Sequence, residues 1–121
     1  MTKRILVIED TEDNRQIIGD LLSSAGYELI EAVDGLEGVA TAEREKPDLI
    51  LMDIQLPGID GYEATRRIRA IPALAKVPII AVTSYALSGD EAKTREAGCD
   101  GYVAKPYSPR QLLAKVREFL P

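Results

Sequence analysis

The chain has 121 residues, of which 45% are hydrophobic and 29% charged, with a formal net charge of −5. These are the length and proportions of one globular domain over residues 1–121, which excludes a disordered tail or a fibrous repeat. The acidic balance argues against nucleic acid or an anionic membrane surface as a direct partner.

Taken in chain order, the first apolar run is Ile5 to Ile8, four residues ending in Glu9-Asp10. It is too short for a secretory signal, and no run approaches the roughly 20 apolar residues of a membrane span. The run reads as a strand covered on both faces. Ile17, Ile18, Leu21, Leu22 and Ala25 then form one helical stripe, with Gly26 as a stop. Tyr27 to Val33 alternates, as an edge strand with a wetter face does. Leu36, Val39, Ala40 and Glu43 predict a second helix, ended before Pro47. Leu49 to Met52 is a buried strand, and Ala64, Ile68 and Ile71 mark a third helix stopped by Pro72. Ile79 to Val82 is another buried strand. Ser88 to Ala97 reads as a helix with Ser88 as N-cap, Gly98 as stop and a thin apolar face of Ala92 and Ala97. A weaker strand, Tyr102 to Ala104, precedes a last helix marked by Leu112, Leu113, Val116 and Leu120. Strand–helix repeated five times implies a doubly wound α/β domain with a five-stranded parallel sheet.

The carboxyl ends of parallel strands form the working rim of such a sheet. Glu9 and Asp10 follow the first strand, Asp53 the third, Thr83 and Ser84 the fourth, and Lys105-Pro106 the fifth. Individually these are helix caps, turn formers or solvated charges. Together they place three carboxylates, a hydroxyl and an ammonium on one rim. Two carboxylates about 5 Å apart repel by roughly 3 kcal/mol at an effective dielectric of about 20. A divalent cation relieves that repulsion, and a small all-oxygen set on a wet rim suits Mg²⁺. Such a site favours phosphoryl transfer, and a carboxylate can itself be the nucleophile, with Asp53 centrally placed. The turn Glu9-Asp10-Thr11-Glu12-Asp13 has no glycine, against a dinucleotide or flavin phosphate site. An EF-hand starting at Asp10 meets Arg15 where glycine is required and Leu21 where the bidentate glutamate belongs. Gln55 stands where a haloacid-dehalogenase-type phosphatase needs a second aspartate. Histidine is absent, so there is no histidine acid–base catalysis or phosphohistidine on this chain. The lone Cys99 forms no intrachain disulfide and reads as a packing residue in a reducing, cytoplasmic compartment.

These stretches resemble the receiver domain of two-component response regulators over essentially the full length. The matches are Ile5 to Asp10, Pro47 to Gly58, Asp60-Gly61, Ala81 to Thr83, and Gly98 to Pro106. The likeness is to single-domain regulators of the cell-division (DivK-like) type and to receivers of hybrid sensor kinases. The resemblance implies a flavodoxin-like (βα)5 fold with strand order 2-1-3-4-5. It implies that Asp53 accepts the phosphoryl group, and that Glu9 (through water), Asp10, Asp53 and the Gln55 carbonyl hold Mg²⁺. Thr83 and Lys105 would bind the phosphoryl oxygens, Thr83 and Tyr102 would form the switch, and the Lys105–Pro106 bond would be cis. Gln55 and Tyr85 occupy positions that tune hydrolysis of the acyl phosphate.

The implied partners are a histidine kinase or histidine phosphotransfer protein, docking near Arg15 and Ile18 (Ile18 being alternatively a core residue), and a downstream protein target. The output face would be the helix from Ser88, the Tyr102 strand and the helix from Ser108 to Leu120. The chain would be a monomer or a weak phosphorylation-dependent dimer, and a regulatory phosphoacceptor rather than an enzyme acting on others. With the chain ending at Pro121, the expectation is a regulator with no output domain. The alternatives are a phosphate-shuttling receiver excised from a hybrid kinase, or a small Mg-dependent phosphatase.

Overall fold

A computed structural model describes residues 2–84 and 90–121. The elements alternate: β1 (Arg4–Ile8), α1 (Glu12–Ser24), β2 (Glu28–Ala32), α2 (Gly35–Glu45), β3 (Leu49–Asp53), α3 (Gly61–Arg69), a 3-10 turn (Pro72–Leu74), β4 (Ile79–Thr83), α4 (Asp90–Ala97), β5 (Gly101–Ala104) and α5 (Pro109–Phe119). The five strands form one sheet in the order β2-β1-β3-β4-β5, and every pairing is parallel. This is the doubly wound, flavodoxin-like arrangement expected from the sequence.

The continuous apolar runs occupy the sheet centre, where all five residues of β3 and of β4 are buried. Alternate residues serve opposite faces. Leu6, Ile8, Ile50, Met52, Ile79 and Ala81 pack with Ala42 of α2 and with Ala64 and Ile68 of α3. Ile5, Val7, Leu49, Leu51, Ile80 and Val103 pack with Ile18 and Leu22 of α1 and with Leu112 and Val116 of α5. Each large aliphatic side chain taken out of water stabilises the fold by about 1.5–3 kcal/mol. The alternating strand β2 lies at an edge, with Glu28 and Glu31 exposed.

The helix starts are set locally. Asp34 accepts the Glu37 N–H at 2.8 Å and Asp60 accepts the Glu63 N–H at 2.9 Å. Ser108 and Gln111 cap α5 reciprocally. Gly26 follows α1 at φ 95°, a conformation that suits glycine.

Three helix faces differ from the apolar stripes in the sequence. Ile17 is 62% exposed and Leu36 58% exposed, and Ala40 and Glu43 also face outward. Helix α2 instead buries Gly35, Gly38, Thr41 and Ala42. The reason is close approach. A Cβ on Gly38 would lie 2.5 Å from Ile8 Cδ1, so the helix seats on β1 through a residue with no side chain. In α4 the buried residues are Thr94 and Ala97, whereas Ala92 is exposed. Ser88 and Tyr85 lie outside the described residues. Among the described residues no helix is long and apolar enough to cross a membrane.

Candidate metal and phosphoryl site

Parallel register brings the rim together. Ile8 pairs with Met52, so Glu9 and Asp53 leave neighbouring strands side by side. Asp53 pairs with Val82, and Thr83 with Ala104, which places Thr83 and Lys105 on the next two strand ends. The Lys105 N–H donates to the Thr83 carbonyl at 2.7 Å. The Lys105–Pro106 peptide bond is cis.

Glu9, Asp10 and Asp53 each offer a carboxylate oxygen, and these oxygens lie within 4.8 Å of one another. Asp53 is 4% exposed and Glu9 3%, while Asp10 is open to solvent. Lys105 Nζ lies 3.3 Å from Asp53 Oδ2 and 3.8 Å from Glu9 Oε2. One ammonium thus serves two buried carboxyls. Burial, followed by the hydrogen bond and negative charge of Glu9, pushes the Asp53 carboxyl up to about 7 against the pull of the Gln55 N–H and Lys105. Burial also acts on Glu9, but its hydrogen bonds from Asp53, Asn14 and Thr11 and the charge of Lys105 outweigh it and hold Glu9 low. Two buried carboxyls beside one ammonium are thus short of positive charge, and Asp53 holds its proton up to about neutral pH. An all-carboxylate set with that deficit, open on the Asp10 side, fits a hard divalent cation.

The Gln55 N–H donates to Asp53 Oδ1 at 3.0 Å, which leaves Oδ2 toward Lys105. The Gln55 side chain reaches across the rim, where its Oε1 accepts the Ser84 N–H at 3.4 Å. Thr83 is fully buried at the end of β4. Tyr102 is half-buried on β5, about one strand away, and borders a groove with Ala104, Gln111, Ala114 and Lys115.

Residues 5–117 match the response regulator receiver domain. The chain belongs to that family. It is 41% identical over 120 residues to the polar-differentiation response regulator DivK of Brucella ovis, covering 99% of this chain and 98% of that protein. It is also 41% identical to the receiver domain of the sensor histidine kinase PA1611 from Pseudomonas aeruginosa PAO1, whose crystal structure holds a magnesium ion in its active-site cleft. That structure superposes with a TM-score of 0.92 and covers 99% of this chain and 98% of its own. The chemotaxis response regulator CheY4 of Vibrio cholerae is 27% identical and superposes at 0.94, with coverage of 98% and 99%.

Of the two residues expected to flank the docking face, Ile18 takes its core alternative and Arg15 turns inward. Ile18 is 4% exposed and belongs to the core. Ile17 is the more exposed residue, and both isoleucines border a groove of about 510 Å³ beside the site with Asn14, Ser84, Lys105 and Tyr107. Arg15 does not project from the rim. It donates to the Glu9 carbonyl at 2.7 Å and lies 3.7 Å from Glu31 of β2. Tyr107 is half-buried in the core layer of α1 and α5. Burial and the charges of Glu9 and Asp53 push its hydroxyl up. The helical period places Ile17 and Ile18 on adjacent faces, so sequence alone does not say which faces the sheet. The contact of Asn14 with Glu9 has no short sequence signature.

Proposed function

We propose that this receiver domain is a phosphorylation-dependent switch that accepts a phosphoryl group on Asp53 from a partner's phosphohistidine. The observation that carries the reading is the buried Asp53 carboxylate held between Lys105 and Glu9 at the carboxyl end of the sheet. Asp53 gives up its proton to solvent, its carboxylate oxygen forms the O–P bond, and the donor's N–P bond breaks so that the partner's histidine leaves as imidazole. The Gln55 N–H orients the Asp53 carboxyl through Oδ1. Lys105, already 3.3 Å from the nucleophile, binds the phosphoryl oxygens and offsets the charge of about −1.5 to −2 that arrives with them. Asp10, Asp53 and the Gln55 carbonyl would hold Mg²⁺ directly and Glu9 through water, and the ion would supply charge neutralisation and alignment of the phosphoryl oxygens.

Thr83 then donates its hydroxyl to the phosphoryl group. Its backbone carbonyl is tied to the Lys105 N–H, so both strand ends respond together. Tyr102 turns with that movement, and the face formed by α4, β5 and α5 changes its affinity for a downstream protein. The process is a biased two-state equilibrium. The chain acts catalytically only on its own phosphorylation and dephosphorylation, as one domain, in the cytoplasm and as a monomer or weak dimer. The partner carrying the phosphohistidine is a histidine kinase or histidine phosphotransfer protein, and neither nucleic acid nor membrane takes part.

Incubation with acetyl phosphate and Mg²⁺, followed by intact-mass measurement, tests the reading. One added phosphoryl group is expected, and none when the metal is chelated before acetyl phosphate is added. An unmodified mass at full Mg²⁺ occupancy would overturn it.

A further inference from the structure

Glu9 is gripped from the first turn of α1 at two places. Its Oε1 accepts the Asn14 side-chain N–H at 3.1 Å and the Thr11 backbone N–H at 3.2 Å. Its carbonyl accepts from Arg15 Nη1 at 2.7 Å, and Arg15 is itself braced against Glu31 on the edge strand. The other carboxylate oxygen, Oε2, lies on the Lys105 side. Glu9 is almost completely buried, whereas Asn14 stands on the exposed side of α1 and borders the groove beside the site. A glutamate has three rotatable side-chain bonds, so nothing in its own chemistry keeps Oε2 turned inward.

We propose that Asn14 is a positioning residue for the metal site: its amide ties up Glu9 Oε1 and so fixes which oxygen Glu9 presents beside Asp53 and Lys105. Arg15 fixes the backbone from which that carboxylate hangs. The two neighbours on α1 thus divide the work. Asn14 sets the side chain and Arg15 sets the strand end. Asn14 touches neither the phosphoryl group nor the reacting oxygen, so it acts only through Glu9. The inference rests on the proposed Mg²⁺ site and deepens it. Removing a hydrogen-bond partner of a direct metal ligand typically alters metal affinity about 10-fold to 100-fold, and because Glu9 reaches the ion through water the low end of that range applies. An exposed helical position tolerates alanine without loss of folding.

The test is Mg²⁺ titration of the full chain by NMR chemical shift or calorimetry, for Asn14→Ala, Glu9→Ala and the double variant, with Glu9→Gln as a second background. Asn14→Ala is expected to weaken Mg²⁺ about 10-fold in the wild-type background. It should change affinity less than about 2-fold where Glu9 is already alanine, because no carboxylate remains to be oriented. Wild-type affinity in Asn14→Ala would overturn the proposal. So would an equal loss in both backgrounds, which would show Asn14 acting elsewhere. A wild-type chain that takes up no Mg²⁺ would instead overturn the site itself, and the inference with it.

Discussion

Replacing Asp53 by asparagine should stabilise the metal-free protein, and by an amount that grows with pH. The carboxyl is pushed from an ordinary 3.8 to about 7 by burial and by Glu9. Between those values the native state holds a proton that the unfolded chain has released. Stability therefore falls as pH rises through that window, at about 1.4 kcal/mol per pH unit, and levels off above about pH 7. The full span corresponds to a ceiling of about 4 kcal/mol for a group with almost no solvent contact. Asparagine has nearly the same shape and carries no charge, so the variant escapes this loss. Its amide can also donate to Glu9. Urea melts of both proteins in chelator, at about pH 5 and about pH 8.5, measure the difference. The advantage of Asp53→Asn should be larger by a few kcal/mol at the higher pH. Saturating Mg²⁺ should erase most of it by stabilising the wild type alone, with about 2.7 kcal/mol gained at 100 times Kd. An advantage of equal size at both pH values would refute the reasoning about Asp53.

Other consequences follow from single contacts. Arg69 donates to the Gly98, Leu74 and Val77 carbonyls and pairs with Asp100 at 2.6 Å. Arg69→Ala should destabilise by about 2–4 kcal/mol in urea melts, because it strands several part-buried acceptors at once. A Cβ on Gly61 would lie 2.5 Å from the Asp53 carbonyl oxygen and 2.6 Å from Ile54 Cα. Gly61→Ala should therefore cost about 1–3 kcal/mol and weaken Mg²⁺, as denaturation and titration will show, since backbone beside the site must move. Ile17→Asp should leave stability within about 0.5 kcal/mol and phosphorylation by acetyl phosphate unchanged while slowing transfer from a partner's phosphohistidine. Ile18→Asp should unfold the chain, which circular dichroism will show. Cys99 is buried and its thiol is pushed up to about 11, chiefly by burial. It should resist thiol reagents at pH 8 until the protein is denatured.

The fold was legible where residue chemistry and period agree. Ile5 to Ile8, Leu49 to Met52 and Ile79 to Val82 are continuous apolar runs that only a doubly covered strand accommodates, and they form the sheet centre. The site was legible because four of the five strands end in a residue of unusual type, and parallel register turns chain position into proximity. What escaped depends on side-chain direction and close packing. Helix α2 presents glycines to the sheet, so the face marked by Leu36 misleads. Thr94 fills the inner side of α4 because its hydroxyl bonds back to the Glu91 carbonyl at 2.7 Å, and so carries no polar cost there. Arg15 and Asn14 turn back onto Glu9, a contact that depends on the exit angle of β1 rather than on spacing.

The switch depends on which residue bears the phosphoryl group. Phosphorylated protein reduced with borohydride converts an aspartyl phosphate to homoserine, which tandem mass spectrometry locates in the sequence. Homoserine at position 53 alone, absent without Mg²⁺ and absent in Asp53→Asn, is the predicted result. Homoserine at another carboxylate, or a stable adduct that borohydride leaves intact, would contradict it.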